Sequence, residues 1–380
     1  MRILLIGEYS KLHNSLKKGL EAHGHEVFLV GMGDSFKKFH TDYNYDAVTC
    51  LKPWFKIPNK IFKLIFKKDL SYLERAYRFA KILPQLKNYD VIQLINEAPI
   101  QTFVEIEKWL LDKLIKQNKK TFLLSCGADY PSVQFAFEQK LRYSIFDIIK
   151  QDPKNAQFLT HPLKYLQPKY RDLSQFLYKN TQGVIASDWD YVLPLENHPH
   201  FLGLIPNPII LDEKPIVPIT IVEKIIIFLG INTNARIKKG IPYFEKALEI
   251  IKQKYSDKVA IIVTKDLPYS EYIKAYNQAH ILLDQIYAYD QGYNALEAMA
   301  QGKVVFTGAE SEFNKHYNLH QDQVAINSLP NVDYLVEKLS LLIENPQKIS
   351  QISLEAQKFI RTHHYYIDVA KQYITTWEGN

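Results

Sequence analysis

Gly292 and Glu297 are the two residues of this chain whose types and spacing best suit a phosphorylated sugar. Gly292 lies where a loop meets a predicted short helix, and Glu297 follows five residues later. Backbone amides at a helix N-terminus lack partners within the helix, and together with the helix dipole they attract phosphate oxygens. A carboxylate early in that helix can accept hydrogen bonds from a sugar diol beside the phosphates. The alternative is that Glu297 only interacts favourably with the dipole.

A second segment carries cations just before a predicted helix. Arg236, Lys238 and Lys239 precede Gly240, and Pro242 suits the first turn of a helix. Cations beside a helix N-terminus, at the carboxyl edge of a parallel sheet, can hold a diphosphate and neutralise it as it leaves. A solvated basic loop is the alternative. The segment lacks the sequence G-x-x-x-x-G-K-[ST], so a nucleoside-triphosphatase P-loop is not indicated.

The elements that would position these residues are strands and helices in alternation. Short apolar runs predict strands at residues 2–6, 26–30, 46–49, 90–95, 121–124, 184–186, 225–229, 259–264, 281–284 and 304–307. Apolar residues at helical spacing predict longer helices at 70–87, 101–118, 134–150, 241–253, 269–279, 293–301, 331–345 and 347–361. Such alternation is typical of parallel sheets covered on both faces. The predicted fold class is therefore α/β, with two doubly wound Rossmann-like domains.

Four prolines between residues 204 and 218 indicate a linker, because neither a helix nor a central strand would accept them. The predicted N-terminal domain spans 1–208 and the C-terminal domain spans 219–363. The remaining segment, 364–380, is expected to form a C-terminal helix that could pack back on the N-terminal domain. Open α/β sheets bind ligands outside the carboxyl ends of their strands, so two domains that face a central cleft predict a cleft enzyme.

Residues 292–305 read Gly-x-x-x-x-Glu-Ala-Met-Ala-x-Gly-Lys-x-Val, and Lys239-Gly240 stands before the earlier helix. These elements resemble the donor signature and the lysine-glycine element of the retaining nucleotide-sugar glycosyltransferases of the two-Rossmann, GT-B type. The resemblance implies that Glu297 binds the nucleotide ribose. It also implies that Arg236 and Lys239 bind the donor diphosphate. The donor site that it implies further includes Gly292, Tyr293 and Asn294.

The chain departs from the family's signature at one position. The usual signature has a second glutamate eight residues before the ribose-binding one, and that position is Tyr289 here, with Asp290 as the nearest acid. Asp284-Gln285, at the end of the preceding predicted strand, resembles a subgroup with aspartate-glutamine at this place. The resemblance implies that this pair takes over part of the donor-sugar contact.

Candidate catalytic residues of the N-terminal half follow predicted strands. His13 follows the first strand, and Asp129 follows the strand that ends near Ser125-Cys126. Both could face the cleft from carboxyl edges, in the half that the resemblance assigns to the acceptor. For His13 the alternative is a helix-start residue, and for Asp129 it is an N-cap or turn residue before Pro131. Asp188 is expected to cap a helix.

The net charge of +6, from 47 basic and 41 acidic residues in 380, can be located in one segment. Residues 52–68 contain six lysines and no acid, interleaved with bulky apolar side chains. This mixture suits an anionic membrane surface rather than a nucleic acid, for which basic residues would spread over a wider face. The alternative is a solvated lysine face over a buried apolar stripe. Pro53 and Pro58 predict no helix before about residue 59.

The expected compartment is the cytosol, with a peripheral position on the inner face of the membrane. No apolar run approaches the roughly 18 residues of a spanning helix, and the first apolar stretch is too short for a secretory signal. Two cysteines, Cys50 and Cys126, can supply neither a disulfide framework nor a four-ligand zinc site. We expect no cofactor and no metal, with the nucleoside diphosphate sugar as substrate.

The function implied is transfer of a glycosyl group to a hydroxyl of a glycan or lipid-linked saccharide, with retention of configuration, as in polysaccharide biosynthesis. One alternative is a nucleotide-sugar epimerase, and another is a sugar-nucleotide binding protein without turnover. A nicotinamide dehydrogenase is less favoured, since the loop after Ile6 lacks G-x-G-x-x-G. The donor base, the donor sugar, the acceptor, the general base and the oligomeric state stay open, as does whether Asp284 or Asp290 replaces the missing glutamate.

Overall fold

A computed structural model describes residues 1–33, 39–211 and 215–380. Residues 212–214, in the middle of the predicted linker, lie outside this range. By its internal contacts the chain divides into two units. The N-terminal unit comprises residues 1–134, 162–210 and 366–380, and the C-terminal unit comprises residues 135–161 and 211–365. These bounds differ from the predicted ones chiefly at 135–161, which groups with the C-terminal unit.

The strands, in chain order, are β1 (Arg2–Ile6), β2 (Glu26–Gly31), β3 (Tyr43–Asn44), β4 (Val91–Leu94), β5 (Lys120–Ser125), β6 (Gly183–Ala186), β7 (Phe201–Leu204), β8 (Ile225–Ile231), β9 (Val259–Lys265), β10 (Ile281–Leu283), β11 (Val304–Thr307) and β12 (Ile326–Asn327). Every pairing among them is parallel. The α/β prediction is confirmed.

The α-helices are α1 (Leu12–Ala22), α2 (Lys56–Phe66), α3 (Ser71–Ile82), α4 (Val104–Lys116), α5 (Tyr130–Phe137), α6 (Asp147–Gln151), α7 (Thr160–Leu163), α8 (Pro168–Asn180), α9 (Trp189–Leu195), α10 (Ile241–Lys254), α11 (Tyr269–Asn277), α12 (Tyr293–Ala300), α13 (Ser311–Tyr317), α14 (Val332–Glu344), α15 (Pro346–His363) and α16 (Tyr366–Gly379).

The sheet of the N-terminal unit has the strand order β3-β2-β1-β4-β5-β6-β7. The order reverses between β1 and β4, which is the switch point of a doubly wound sheet. Side chains 3–6 of β1 are fully buried because helices cover both faces of the sheet. The last helix, α16, packs on α1, and the Trp377 indole donates to Gln93 Oε1 at 3.1 Å. The C-terminal segment therefore belongs to the core of this unit.

The sheet of the C-terminal unit has the strand order β12-β11-β10-β8-β9. Its switch point lies between β8 and β10, whose residues pair from Ile227–Ile281 to Leu229–Leu283. The core joins these strands to the buried side of α10, including Phe244. Because the carboxyl ends of β8 and β10 are adjacent, the loops that follow them, 232–240 and 284–292, leave the sheet side by side.

Two predicted elements are wrong. The predicted helix over 134–150 is two helices, because Gln139 adopts a left-handed φ of +61° and Lys140 N turns back to bond Phe135 O at 3.2 Å. The predicted strand over 46–49 is a loop. The backbone amides of residues 48–50 donate to the carboxylate of Glu74 at 2.8–3.0 Å, and this replaces pairing with a strand.

The expectation that Pro53 and Pro58 prevent a helix before about residue 59 is also wrong. Helix α2 begins at Lys56 and contains Pro58 in its first turn. A proline there costs no hydrogen bond, since the amides of the first turn have no acceptor within the helix. A short 3-10 turn, Pro53–Phe55, leads directly into α2.

Candidate functional site

The candidate site is centred on an ion pair at the switch point of the C-terminal sheet. Lys239 Nζ, from the loop after β8, lies 2.8 Å from Asp284 Oδ1, directly after β10. The same oxygen accepts a hydrogen bond of 2.8 Å from Asn294 Nδ2, in the first turn of α12. The Asp284 side chain is 3% exposed and the Lys239 side chain is 35% exposed. The buried acid thus fixes a cation whose surface is partly accessible.

Gly240 explains why the two loops approach so closely. It precedes α10 with a left-handed φ of +68°, and a Cβ there would lie 2.6 Å from the side chain of Ile286. The backbone joins the loops as well, since Ile286 N donates to Lys239 O at 3.0 Å. The glycine of the lysine-glycine element is therefore needed for this approach.

The start of α12 lies beside the ion pair. Gly292 is its N-cap residue, and within the described residues no side chain caps this helix and no acid occupies its first turn. A Cβ on Gly292 would have as its nearest atom the Gln285 amide nitrogen, at 3.9 Å. Backbone amides at such a terminus attract anions. The predicted residues Gln285 and Gly292 are thus neighbours at a helix start suited to phosphate.

Glu297 lies on the same side of α12 as the predicted residues before it. Tyr293 and Asn294 precede it by four and three residues, and residues at these spacings share a helix face. The Glu297 side chain is partly exposed. Asn294 is fixed by Asp284 and accepts a longer hydrogen bond, 3.4 Å, from the Tyr272 hydroxyl. The structure therefore brings together Lys239, Asp284, Gln285, Gly292, Asn294 and Glu297 around one helix start.

Arg236 is engaged differently. Its guanidinium donates to the carboxylate of Glu245 on α10, with both side chains about one-third exposed. A diphosphate would have to compete with this carboxylate for the arginine. Glu245 was not predicted from the sequence. Its position in the second turn of the helix after Lys239-Gly240 could have indicated a partner for a nearby cation.

Tyr289, at the position of the missing glutamate, is a packing residue. Its hydroxyl accepts a 2.5 Å hydrogen bond from Arg142 N, and its ring lies 5.3 Å from that of Tyr143. Burial raises the pKa of Tyr289. Asp290 is buried and accepts from the next backbone amide, Gln291 N, at 2.7 Å. Asp284 is therefore the acid beside the helix start.

Glu310 is a buried acid that the sequence analysis missed. It accepts hydrogen bonds from Tyr143 Oη (2.6 Å) and Asn327 Nδ2 (2.9 Å), and it forms an ion pair with Arg142 at 2.5 Å. Three donors satisfy its two oxygens, as a buried carboxylate requires. This cluster attaches segment 135–161 to the C-terminal sheet. It gave no spacing signal because Arg142 and Tyr143 lie about 170 residues before Glu310.

His13, in the first turn of α1, is fully buried. Its Nδ1 lies 2.7 Å from Gly7 O, and burial lowers the pKa of the imidazole to about 3. The ring is therefore neutral at physiological pH. Since a carbonyl can only accept, Nδ1 carries the proton and Nε2 presents a lone pair. Nε2 has no hydrogen-bond partner among the described residues.

Asp129 is a helix-capping residue. It accepts hydrogen bonds from the hydroxyl of Ser125 and from Ser132, at 2.9 Å from N and 2.5 Å from Oγ. Burial raises the pKa of Asp129, while these donors oppose the shift. Asp188 likewise caps α9 by accepting from Asp190 N.

Glu97 is a second buried acid near Asp129, and the sequence analysis missed it. Its Oε2 accepts a 2.9 Å hydrogen bond from Tyr130 N. Burial, and then the charge of Asp129, raise the pKa of Glu97 to about 8. Its position directly after the predicted strand 90–95 was an available signal. Glu97 and Asp129 thus form a carboxyl pair at the carboxyl ends of β4 and β5.

Other chemistry is limited within the residues that the structure describes. No group of three or more histidine, cysteine or acidic residues lies close enough to hold a metal ion there. Cys50 and Cys126 are both buried, and they are not joined by a disulfide. Among the same residues, no helix combines the length and apolar character needed to cross a membrane.

Residues 236–375 match a protein-family model described as "Glycosyl transferase-like". The matched range contains every residue that the sequence analysis assigned to the donor. No curated protein matches the chain.

Several solved structures share the fold at low sequence identity. Sucrose-phosphate synthase from Thermosynechococcus elongatus has a TM-score of 0.61 and 14% identity, covering 100% of this chain and 98% of the synthase. Anabaena HepE in complex with UDP-glucose has a TM-score of 0.59 and 10% identity, covering 100% of both chains. UDP-GlcNAc 2-epimerase from Neisseria meningitidis, bound to UDP-GlcNAc, has a TM-score of 0.53 and 11% identity, covering 100% of both chains.

These similarities establish the fold class as two parallel α/β sheets of the GT-B type. The match of residues 236–375 to the family model adds that this part of the chain is similar to glycosyltransferases.

Proposed function

We propose that the chain transfers a glycosyl group from a nucleoside diphosphate sugar to a hydroxyl of a saccharide acceptor, with retention of the anomeric configuration. The cluster of Lys239, Asp284 and Asn294 at the start of α12 carries this proposal. It combines a fixed cation, a buried acid and a helix N-terminus at the switch point of the sheet. That combination suits a diphosphate joined to a sugar.

Leaving-group stabilisation is the main catalytic effect in this proposal. Cleavage of the bond between the anomeric carbon and the phosphate oxygen builds negative charge on the diphosphate. Lys239 and the backbone amides that follow Gly292 would meet that charge from fixed positions, which lowers the barrier without reorganisation. Arg236 would join them after exchanging Glu245 for phosphate. Because protein groups supply this neutralisation, we propose a metal-independent reaction.

Three predicted residues are assigned to the sugars of the donor. Glu297 would accept hydrogen bonds from the ribose hydroxyls, since it lies one turn beyond the first residues of α12. Asp284 and Gln285 would contact the transferred sugar, which we propose to be a hexose. Asp284 takes this role rather than Asp290, whose carboxylate binds its own loop.

We propose uridine as the donor base. HepE has been solved with UDP-glucose and the Neisseria epimerase with UDP-GlcNAc, and both have the fold of this chain. This proposal is testable by competition among uridine, guanosine and adenosine diphosphates.

In the N-terminal unit we propose His13 and the pair of Glu97 and Asp129 as the candidate groups for the acceptor chemistry. Neutral His13 would orient an acceptor hydroxyl by accepting its hydrogen bond at Nε2, because Nδ1 donates to Gly7 O and the low pKa opposes uptake of the proton. Asp129 would act through Glu97, since its own oxygens already accept from serines. The acceptor would be a glycan or a lipid-linked saccharide of polysaccharide biosynthesis, used by a cytoplasmic, peripheral enzyme on the inner face of the membrane.

An epimerase is the second candidate. The observation that favours it is the buried pair of Glu97 and Asp129, because epimerisation needs groups that remove and return a proton on the same sugar. The Neisseria protein has the same fold and is a UDP-GlcNAc 2-epimerase, so this fold also occurs in an epimerase.

One experiment separates these candidates. The full chain is incubated with UDP-glucose, UDP-GlcNAc and GDP-mannose, with and without a panel of saccharide acceptors, and the products are analysed by proton NMR. Retaining transfer would be supported if the nucleoside diphosphate is released only with an acceptor, and if an axial anomeric bond in the donor gives an axial anomeric bond in the product. Conversion of the donor sugar without acceptor would support the epimerase. Binding of a donor without any product would support a binding protein.

A further inference from the structure

Helix α2, together with the turn before it, exposes an unusual amount of apolar surface. The exposed fractions are 68% for Trp54, 73% for Ile57, 56% for Ile61, 74% for Leu64 and 64% for Ile65. None of the residues of α2 is buried. Single exposed apolar residues are normal, whereas a contiguous patch of this kind marks a binding surface.

The opposite side of α2 is fixed to the N-terminal unit. Asn59 Oδ1 accepts a 2.7 Å hydrogen bond from Leu70 N, and the rings of Phe62 and Phe66 lie 6.2–6.3 Å from that of Phe103. Phe55, Asn59 and Phe62 are spaced by four and three residues, so they form one stripe toward the unit. The exposed apolar side chains consequently have a defined direction, away from these contacts.

The apolar residues and the lysines form two separate stripes on α2. Residues 54, 57, 61, 64 and 65 recur at helical spacing on one face, and residues 56, 60, 63 and 67 recur at the same spacing on another. At 3.6 residues per turn, the centres of the two stripes are about 120° apart around the axis. Such an apolar stripe with lysines along its flank is typical of helices that lie in a membrane interface.

The two remaining lysines of the segment, Lys52 and Lys68, lie outside the lysine stripe. Lys52 Nζ lies 5.3 Å from the ring of Trp54. Lys68 Nζ lies 4.3 Å from the ring of Tyr72 and 3.3 Å from Thr102 O. The four lysines of the stripe are exposed. A binding partner would therefore meet these four cations, together with the exposed Lys52 beside Trp54.

We propose that α2 lies on an anionic phospholipid surface, with its apolar stripe in the acyl-chain boundary and its lysine stripe over the headgroups. Charge complementarity selects this occupant, because residues 52–68 contain six lysines and no acid. A second copy of α2 is disfavoured on the same ground, since two lysine stripes would repel each other. The helix has 11 residues, too few to cross a bilayer, so it lies on the surface. The inference rests on the N-terminal unit alone and is independent of glycosyl transfer.

The test is flotation of the full-length protein with vesicles of phosphatidylcholine, with or without phosphatidylglycerol. We expect binding to the anionic vesicles only, weakening as salt is added. Changing Lys56, Lys60, Lys63 and Lys67 to glutamine should reduce the partition coefficient by about 100-fold or more, given the usual attraction per basic residue. The matched control changes Lys246, Lys252, Lys258 and Lys348 to glutamine. These are exposed lysines of the C-terminal unit, and the loss of charge is the same.

The apolar stripe is tested separately. The variant Ile57→Ser with Ile61→Ser and Leu64→Ser should lose binding, whereas Val222→Ser with Ile250→Ser and Leu341→Ser should keep it. The second set is also exposed but lies in the C-terminal unit. Brominated acyl chains should quench Trp54 fluorescence, and this quenching should disappear in Trp54→Phe. Circular dichroism checks that each variant is folded.

Three outcomes would overturn the proposal. The wild type could stay unbound at low salt, the lysine-stripe variant could bind as well as its control, or the protein could bind neutral vesicles equally well. A dimer that dissociates only in the apolar-stripe variant, with no vesicle binding, would assign the surface to a second copy instead.

Discussion

Lys239 Nζ and Asp284 Oδ1 lie 2.8 Å apart, in loops that follow two adjacent strands of the C-terminal sheet. The Asp284 carboxylate is buried and the Lys239 ammonium group is partly exposed, so the ion pair directs this cation toward the start of α12. A flexible lysine would lose rotamer entropy on binding phosphate, and this contact removes part of that cost before the ligand arrives.

Lys239→Met should lower kcat for glycosyl transfer by about 100-fold, or roughly 3 kcal/mol in the barrier, as expected for one lost charge-stabilising group. Lys246→Met, on the exposed face of α10, is the control. Steady-state kinetics with a saturating donor measures the effect. An unchanged kcat would show that Lys239 does not meet the leaving group.

Glu297→Gln should weaken binding of the nucleoside diphosphate by about 1.5–3 kcal/mol, the usual worth of a hydrogen bond to a charged group. The loss should be much smaller for a ligand without the ribose hydroxyls, because that ligand cannot use the carboxylate. Isothermal titration with UDP and its deoxyribose analogues separates the two cases. Glu249→Gln, exposed on α10, serves as the control. Equal losses for both ligands would remove the ribose role.

The sequence predicted the parts of this site that depend on local chemistry. Glycines before helices, cations before Gly240 and buried apolar strands are properties of short segments. Their periodicity therefore gave the strands β8, β10 and β11 within two residues. The contact between Lys239 and Asp284 was not predicted, because it depends on the pairing of β8 with β10, which only the structure gives.

Residues that depend on distant partners were missed. Glu310 acquires its role from Arg142 and Tyr143, which come from a segment that looked like one continuous helix. Glu97 is perturbed because the fold buries it near Asp129. For residues 52–68 the sequence left open a membrane-facing stripe or a buried one, since apolar periodicity alone does not distinguish a buried face from an exposed one.

Glu312→Gln should destabilise the protein at neutral pH but not in acid. Arg142 donates to both oxygens of Glu312, at 2.7–2.9 Å, and this contact lowers the pKa of the carboxyl to about 2. A folded-state pKa below the unfolded value contributes stability that is present above pH 4.5 and lost as the pH falls toward about 2. The difference in urea midpoint between wild type and variant should therefore narrow across this window. Glu337→Gln, exposed on α14, should show no such trend.

The effect of Glu97→Gln on the free energy of unfolding should have the opposite pH dependence. Burial, followed by the charge of Asp129, raises the pKa of Glu97 from 4.5 to about 8, so the folded state holds this proton more tightly than the unfolded state. The group therefore lowers the free energy of unfolding progressively as the pH rises from about 4.5 to about 8, because the buried carboxyl must either keep its proton or ionise without adequate solvation. Glutamine cannot ionise, so the variant should lose this part of the slope and gain stability relative to wild type toward pH 8. Urea denaturation at a series of pH values measures the effect, with Glu105→Gln, exposed on α4, as the control. A constant difference between variant and wild type across the window would show that Glu97 ionises normally and that the carboxyl pair holds no proton.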